Sequence, residues 1–215
     1  MMERLRRIVT DDHRTPAFYE SLDALVAALR PGERILSVGG GPMRQIPQLL
    51  NLNIEKFTNV DVVGDAHRLP FADASLPAVF CEAVLEHVED PNQAVAEMFR
   101  VLRPGGLVLA VTPFLVAFHG YPSHFQNFTD KGHELLFTRA GFDILRSGPC
   151  VGPGYVLASL TAQTLDSFLP RPLAVPARWL WRPFALGLRQ LDRWWVHHPQ
   201  ARMMCSTTYV FARRP

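Results

Sequence analysis

A chain of 215 residues, 48% of them hydrophobic and with a net charge of +2, is long enough for one domain with a sizeable core. Its near-neutral balance argues against a general nucleic-acid binder. Its three cysteines, Cys81, Cys150 and Cys205, are far apart and form no CxxC pair or Cys/His cluster, which argues against a zinc site or a disulfide framework. The expected setting is a reduced cytosol. The charged opening MMERLRRIVTDDHR has no apolar signal-peptide core, and no apolar run reaches the ~18 residues of a membrane-spanning helix.

In chain order, residues 16–29 carry apolar positions at helical spacing (Leu22, Leu25, Val26, Leu29), and Pro31-Gly32 ends that helix. RILSV follows as a buried strand. LNLNI reads as a second strand and NVDVV as a third, with only KFTN between them, too short for a crossover helix. A fourth strand runs from Leu76 to Cys81. Asp90-Pro91 starts a helix, with Asp as N-cap and Pro at the first helical position. LVLAVT is a fifth strand, and a polar, aromatic-rich loop follows it. Thr129 caps a further helix that stops at Gly141. FDILRSG is a sixth strand. Residues 155–169 read as helical, and residues 176–196 as a second helix kinked or broken at Pro183. STTYVFARR closes the chain as a β-branched, aromatic strand. Strands alternating with helices predict a doubly wound α/β sheet with helices on both faces. The Pro-rich stretch from Pro170 to Pro176 is the best hinge candidate.

The stretch ILSVGGGPMRQIP places three glycines at the end of the first strand. A turn there lets the backbone approach a ligand at the carboxyl edge of a parallel sheet. A dinucleotide fingerprint needs GxGxxG opening a full helix. Here the third glycine is absent and Pro47 interrupts the following segment, which counts against NAD.

The span VDVVGDAHRLPFADASLPAVFCEAVLEHVEDPNQAVAEMFRVLRPGGLVLAVTPF resembles the class I S-adenosylmethionine-dependent methyltransferases. It carries an acidic-Ala dipeptide before LPF, an LEHV stretch after the fourth strand and an RVLRPGG turn before the fifth. The likeness runs from about Ile35 to Phe114 and more weakly to Gly152. It is nearest to the subgroup with a short region after the glycine turn and a proline-histidine-rich loop after the fifth strand. The resemblance implies a seven-stranded, mostly parallel sheet with an antiparallel last strand. It implies one domain over residues 1–215, with a helical lead-in (1–30) and a helical insertion before the last strand (154–200). It implies S-adenosylmethionine as cofactor: Gly39 and Gly41 under its methionine part, Asn53 at the ribose, Asp65 and Ala66 beside adenine, and Glu82 and His87 at the exit of the fourth strand. Ser37 stands where the family has an acid in the first strand, and Met43 where it has a last glycine. Asn53 replaces a further acid; an amide oxygen still accepts, but without charge.

Methyl transfer from a sulfonium needs mainly alignment, and a hydroxyl acceptor gains from a base. The loop after the fifth strand offers His119, Tyr121 and His124 as acceptor-side residues, with His119 and then His124 as candidate bases. Glu86 could equally be a solvated helix residue, and Asp73 reads as turn chemistry. His197-His198 lacks a third ligand at a recognisable spacing, so no metal is expected.

Residues 171–215 hold eight Arg and one Asp, a local +7 that leaves about −5 elsewhere. Four tryptophans alternate with arginines in PARWLWRPFALGLRQLDRWWVHHP. That pattern fits a helix packing aromatics on the sheet, a lid over an apolar acceptor, a dimer surface, or peripheral contact with a membrane. The expected function is methyl transfer to an oxygen or nitrogen of a small-molecule or glycan-type acceptor. Two other classes stay open: a non-catalytic methyltransferase fold acting as a binding or regulatory partner, motivated by Ser37, Met43 and Asn53, and a nucleotide-dependent oxidoreductase.

Overall fold

The structure, a computed structural model, describes residues 14–41, 46–120 and 123–215. Its elements in chain order are α1 (Pro16–Ala27), β1 (Ile35–Val38), β2 (Leu49–Asn53), β3 (Val62–Val63), β4 (Leu76–Glu82), α2 (Pro91–Val101), β5 (Leu102–Pro113), α3 (Asp130–Arg139), β6 (Asp143–Val151), α4 (Pro153–Phe168), α5 (Arg171–Trp195), α6 (Ala201–Met204) and β7 (Thr207–Arg213). The strands form one sheet in the order β3-β2-β1-β4-β5-β7-β6. Strands β1 to β5 pair in parallel, and β7 runs antiparallel between β5 and β6. This is the seven-stranded sheet with an antiparallel last strand expected from the sequence.

Alternation within strands distributes the core over both faces, because successive side chains of a strand point to opposite sides. Leu36, Val79, Cys81, Val108, Ala110 and Val210 pack with Ala94, Val95 and Met98 of α2 and Phe137 of α3. Ile35, Phe80, Leu109 and Phe211 pack on the other side with Phe18 and Leu25 of α1. The helix starts follow their capping residues: the side chains of Thr15, Asp90 and Thr129 each accept from backbone N–H groups of the first turn.

Three local expectations are corrected. β2 passes to β3 with no helix between them, as expected, but only two residues of NVDVV pair as strand. The second helix of the insertion begins at Arg171 and runs through both Pro176 and Pro183 for 25 residues. Residues 171–176 of the expected hinge are therefore helical, and Pro183 neither breaks nor ends the helix. LEHV is not helical: residues 83–89 form turns between β4 and α2.

Helices α4 and α5 pack against each other between β6 and β7. Gly154 makes this close, since a Cβ there would lie 2.1 Å from the Leu188 carbonyl oxygen. The cap of α4 comes from α5. Gly152 at the N-cap has no side chain to give, and the buried carboxylate of Asp192 accepts from the backbone N–H groups of Gly154 (2.7 Å) and Tyr155 (2.9 Å). Burial raises the Asp192 pKa, and those two donors oppose the rise.

Candidate active site

The parallel strands β1, β2, β3 and β4 end at the same edge of the sheet, where ligands of open α/β folds bind. Two adjoining cavities open there. One, of about 310 Å³, is lined by Ser37, Gly39, Gly40, Gly41, Phe80 and Glu82, among others. The other, of about 720 Å³, includes Tyr19, Glu86, Thr112, His119, Tyr155 and Thr207. Arg14, Glu82 and Ala83 line both. Arg14 is held there by a bridge to Val151, and its guanidinium pairs with the Glu82 carboxylate at 2.5 Å.

The glycine turn needs its glycines. Gly39 has φ +69°, and a Cβ on it would lie 2.1 Å from Val84 Cγ2. A Cβ on Gly40 would lie 2.0 Å from Asn51 Oδ1. Buried Asn51 in β2 holds the turn, its Nδ2 donating to the carbonyls of Gly41 (2.8 Å) and Asn59 (3.1 Å). Its Oδ1 has no hydrogen-bond partner. Sequence reasoning missed Asn51 and Arg14. The alternation of LLNLN already turns Asn51 opposite to its neighbours, but its contact with the turn depends on the pairing of β1 with β2.

The other expected cofactor residues are distributed along the same edge. Asn53 ends β2, and its Oδ1 accepts from Glu55 N–H at 3.2 Å. The Asp65 carboxylate is turned toward His67, accepting from its backbone N–H (2.9 Å) and meeting its ring Nδ1 (2.8 Å). Those hydrogen bonds hold its pKa below the ordinary value. Ala66 is buried in the core. None of Asn53, Asp65, Ala66 and His87 lines either cavity, so the structure groups Ser37, Gly39, Gly41 and Glu82 and leaves these four apart. Tyr121 and Met43 lie outside the described residues.

At the acceptor side, Glu86, His87 and His119 each present one ligand-type atom, all within 4.8 Å of one another. Glu86 is not a solvated residue. Its side chain is 1% exposed, and burial pushes its carboxyl up to about 7, with the Glu82 charge adding and its own backbone N–H opposing. The His87 pKa is lowered, chiefly by burial. His119 lines the larger cavity, whereas His124 does not. His124 instead braces His119: its Nδ1 accepts from the His119 backbone N–H (3.2 Å), and its Nε2 meets Asn127 Oδ1 at 2.6 Å. Both ring nitrogens of His124 are thus engaged within the loop. His197 and His198 sit in the exposed turn after α5.

The sheet order is that of an open α/β fold with a glycine-lined cavity at the carboxyl edge of its parallel strands. A family model described as "Methyltransferase domain" matches residues 43–110. The uncharacterized 37.1 kDa protein of transposon TN4556 from Streptomyces fradiae is 36% identical over 157 residues, covering 72% of this chain and 41% of that protein. The ubiquinone/menaquinone biosynthesis C-methyltransferase UbiE of Vibrio cholerae is 32% identical over 108 residues, covering 38% of this chain and 42% of the relative. The chain thus spans less than half the length of these relatives. Among solved structures, Haemonchus contortus phosphoethanolamine N-methyltransferase 2, in complex with phosphomonomethylethanolamine and S-adenosylhomocysteine, superposes with a TM-score of 0.55 at 16% identity, over 98% of this chain and 56% of that one. These likenesses support a class I S-adenosylmethionine-dependent methyltransferase, with S-adenosylmethionine as its cofactor.

The residues present fit that cofactor. Gly39, Gly40 and Gly41 line the smaller cavity, a Cβ on Gly41 would meet nothing within 4 Å, and the wall carries one cation and one anion, Arg14 and Glu82. An amino-acid zwitterion matches that last feature: Arg14 is suited to its carboxylate and Glu82 to its ammonium.

Proposed function

We propose that the chain transfers the methyl group of S-adenosylmethionine to an oxygen or nitrogen of a small-molecule or glycan-type acceptor. The observation that carries this reading is the shared wall of Arg14, Glu82 and Ala83, which sets a cofactor-type cavity against a larger cavity containing proton-accepting groups. Bound S-adenosylmethionine would supply a methyl carbon on a sulfonium, with the C–S electron pair leaving on sulfur.

This chain's own residues supply position and proton handling. Gly39, Gly41 and Ser37 form the floor under the methionine part, Arg14 and Glu82 orient it, and Asn53, Asp65 and Ala66 are assigned to the nucleoside side of the edge. The acceptor binds among Tyr19, Leu22, Val116 and Tyr155, and its proton departs at the end of the cavity that holds Glu86 and His119. Close alignment of the two reactants supplies much of the rate.

Calorimetric titration with S-adenosylmethionine and S-adenosylhomocysteine, with NAD as control, tests the cofactor reading. Mass spectrometry of hydroxyl, amine and carbon acceptors then identifies the methylated atom. A folded protein that binds neither sulfur ligand overturns the reading and leaves the non-catalytic scaffold.

α5 adds a second element. No helix among the described residues is long and apolar enough to cross a membrane. Yet Trp179, Leu180 and Phe184 are each about two-thirds exposed or more, and the helix carries Arg178, Arg182, Arg189 and Arg193. This mixture supports peripheral contact with an anionic membrane from which an apolar acceptor would be drawn. Co-sedimentation with anionic but not zwitterionic vesicles, lost on Trp179→Ser with Phe184→Ser, is the expected result. A dimer in solution with no vesicle binding would assign the face to a second copy instead.

A further inference from the structure

The Glu86, His87 and His119 cluster brings one buried carboxyl and two imidazole nitrogens to within 4.8 Å of one another. His87 Nδ1 lies against the Ser123 carbonyl, and His119 Nδ1 against the Ala117 carbonyl at 3.1 Å. A carbonyl only accepts, so each Nδ1 carries the ring proton, and in the neutral ring Nε2 is left with a lone pair. Both Nε2 atoms face Glu86 Oε1, at 3.8 and 3.9 Å. Those separations are too long for a direct hydrogen bond. Both Glu86 oxygens are buried with no hydrogen-bond partner. A buried carboxyl without a partner costs free energy unless a proton or a cation lies beside it.

We propose that Glu86, His87 Nε2 and His119 Nε2 form a binding site for a single first-row divalent cation of the zinc type. Two imidazoles and one carboxylate are a ligand set for zinc or iron, whereas magnesium and calcium favour all-oxygen sites. Bonds of ~2.0–2.2 Å place ligand atoms ~3.0–3.6 Å apart, so side-chain movement of less than about 1 Å closes the site. The supporting shell is already built. Metal-bound histidines ordinarily donate their other N–H to a carbonyl or carboxylate, and here both do. His124 fixes the backbone of His119 from behind.

Glu86 and His119 both line the larger cavity, so the unfilled coordination positions open toward the acceptor. In the methyl-transfer reading, on which this use alone rests, a coordinated acceptor hydroxyl loses its proton to solvent more readily. Its oxygen lone pair then forms the new bond to the methyl carbon while the C–S pair leaves on sulfur. In that case His119 holds the cation and is not itself the base.

The test uses the full chain carrying His197→Ala and His198→Ala, so that the exposed pair after α5 cannot contribute, and no S-adenosylmethionine. After chelator treatment, Co²⁺ is titrated in while its visible d–d absorption is followed, and Zn²⁺ is titrated calorimetrically. One equivalent is expected with each ion. Glu86→Gln, which keeps the shape of the side chain, and His119→Ala should each weaken binding by about tenfold to a hundredfold or more. Absence of saturable one-to-one binding overturns the site, as does equal binding by folded Glu86→Gln. Because cofactor binding is measured separately, failure of this site and failure of the methyl-transfer reading give different results.

Discussion

Arg14 and Glu82 stand 68 residues apart in sequence, yet their side chains pair at 2.5 Å in the wall common to both cavities. One comes from the segment just before α1 and the other from the last residue of β4. Their opposite charges match the two charges of a methionine moiety. Arg14→Ala is therefore expected to weaken S-adenosylmethionine about tenfold, or ~1.4 kcal/mol, and Asp65→Ala by ~1–3 kcal/mol through its lost hydrogen bond. Calorimetry on folded variants decides each separately, and an unchanged dissociation constant removes the residue from the site.

Gly39 is the tightest point of the turn. Gly39→Ala would place Cβ against Val84 and force a residue with a side chain into a left-handed conformation. A destabilisation of ~1–3 kcal/mol is expected from the overpacking. Adding Val84→Ala should recover only part of it, because the ~1 kcal/mol conformational cost at positive φ persists. Full recovery in thermal melts would show that contact alone sets the cost.

His119→Ala, in the reading of His119 as the base, is expected to lower kcat by about 10²–10⁴ while leaving S-adenosylmethionine affinity unchanged, since His119 lines only the larger cavity. His124→Ala should cost less, because it acts through the backbone of His119. Equal turnover in His119→Ala and the parent would remove His119 from the reaction.

His133 couples stability to pH. It is fully buried beside Thr112 and Thr208, and burial lowers its pKa from 6.5 to about 3. Between those values the unfolded chain binds a proton that the fold refuses. Its contribution is thus intact above about pH 6.5 and is lost progressively as pH falls toward 3. By pH 4.5 the loss is on the order of 2–3 kcal/mol. Melts of His133→Gln from pH 7 to 4.5 should fall less steeply than those of the parent; parallel curves would contradict this.

Asp192→Ala removes both acceptors that cap α4 from α5. A cost of ~1–2 kcal/mol is expected, concentrated in the helical pair. Hydrogen exchange should therefore quicken in α4 while the sheet stays protected. Uniform loss of protection would show that the pair unfolds only with the whole domain.

The sheet was legible because its information is local. Short apolar runs such as RILSV, punctuated by Pro and Gly, mark strands buried on both faces. Asp90-Pro91 and Thr129 mark helix starts by side chains that cap within three residues. The ordered motifs around Asp65, LEHV and RVLRPGG carried the family resemblance, and the adjacent glycines after RILSV marked a turn. What sequence reasoning missed depends on distance in the fold. Pro176 and Pro183 look like breakers in sequence, but α5 runs through both while packed on α4. Glu86 reads as a surface residue until the loop after β5 covers it with His119 and Phe125, whose N–H donates to the Glu86 carbonyl at 2.8 Å. Asn51 touches the glycine turn only because β2 pairs with β1, and Arg14 reaches Glu82 only because its segment bridges to Val151. The sequence by itself determined most of the strand and helix pattern, the caps and the family resemblance, all set by neighbours a few residues apart. Only the tertiary structure decided which charged and acceptor groups lose their water together, because burial and charge proximity are properties of packed surfaces rather than of spacing along the chain.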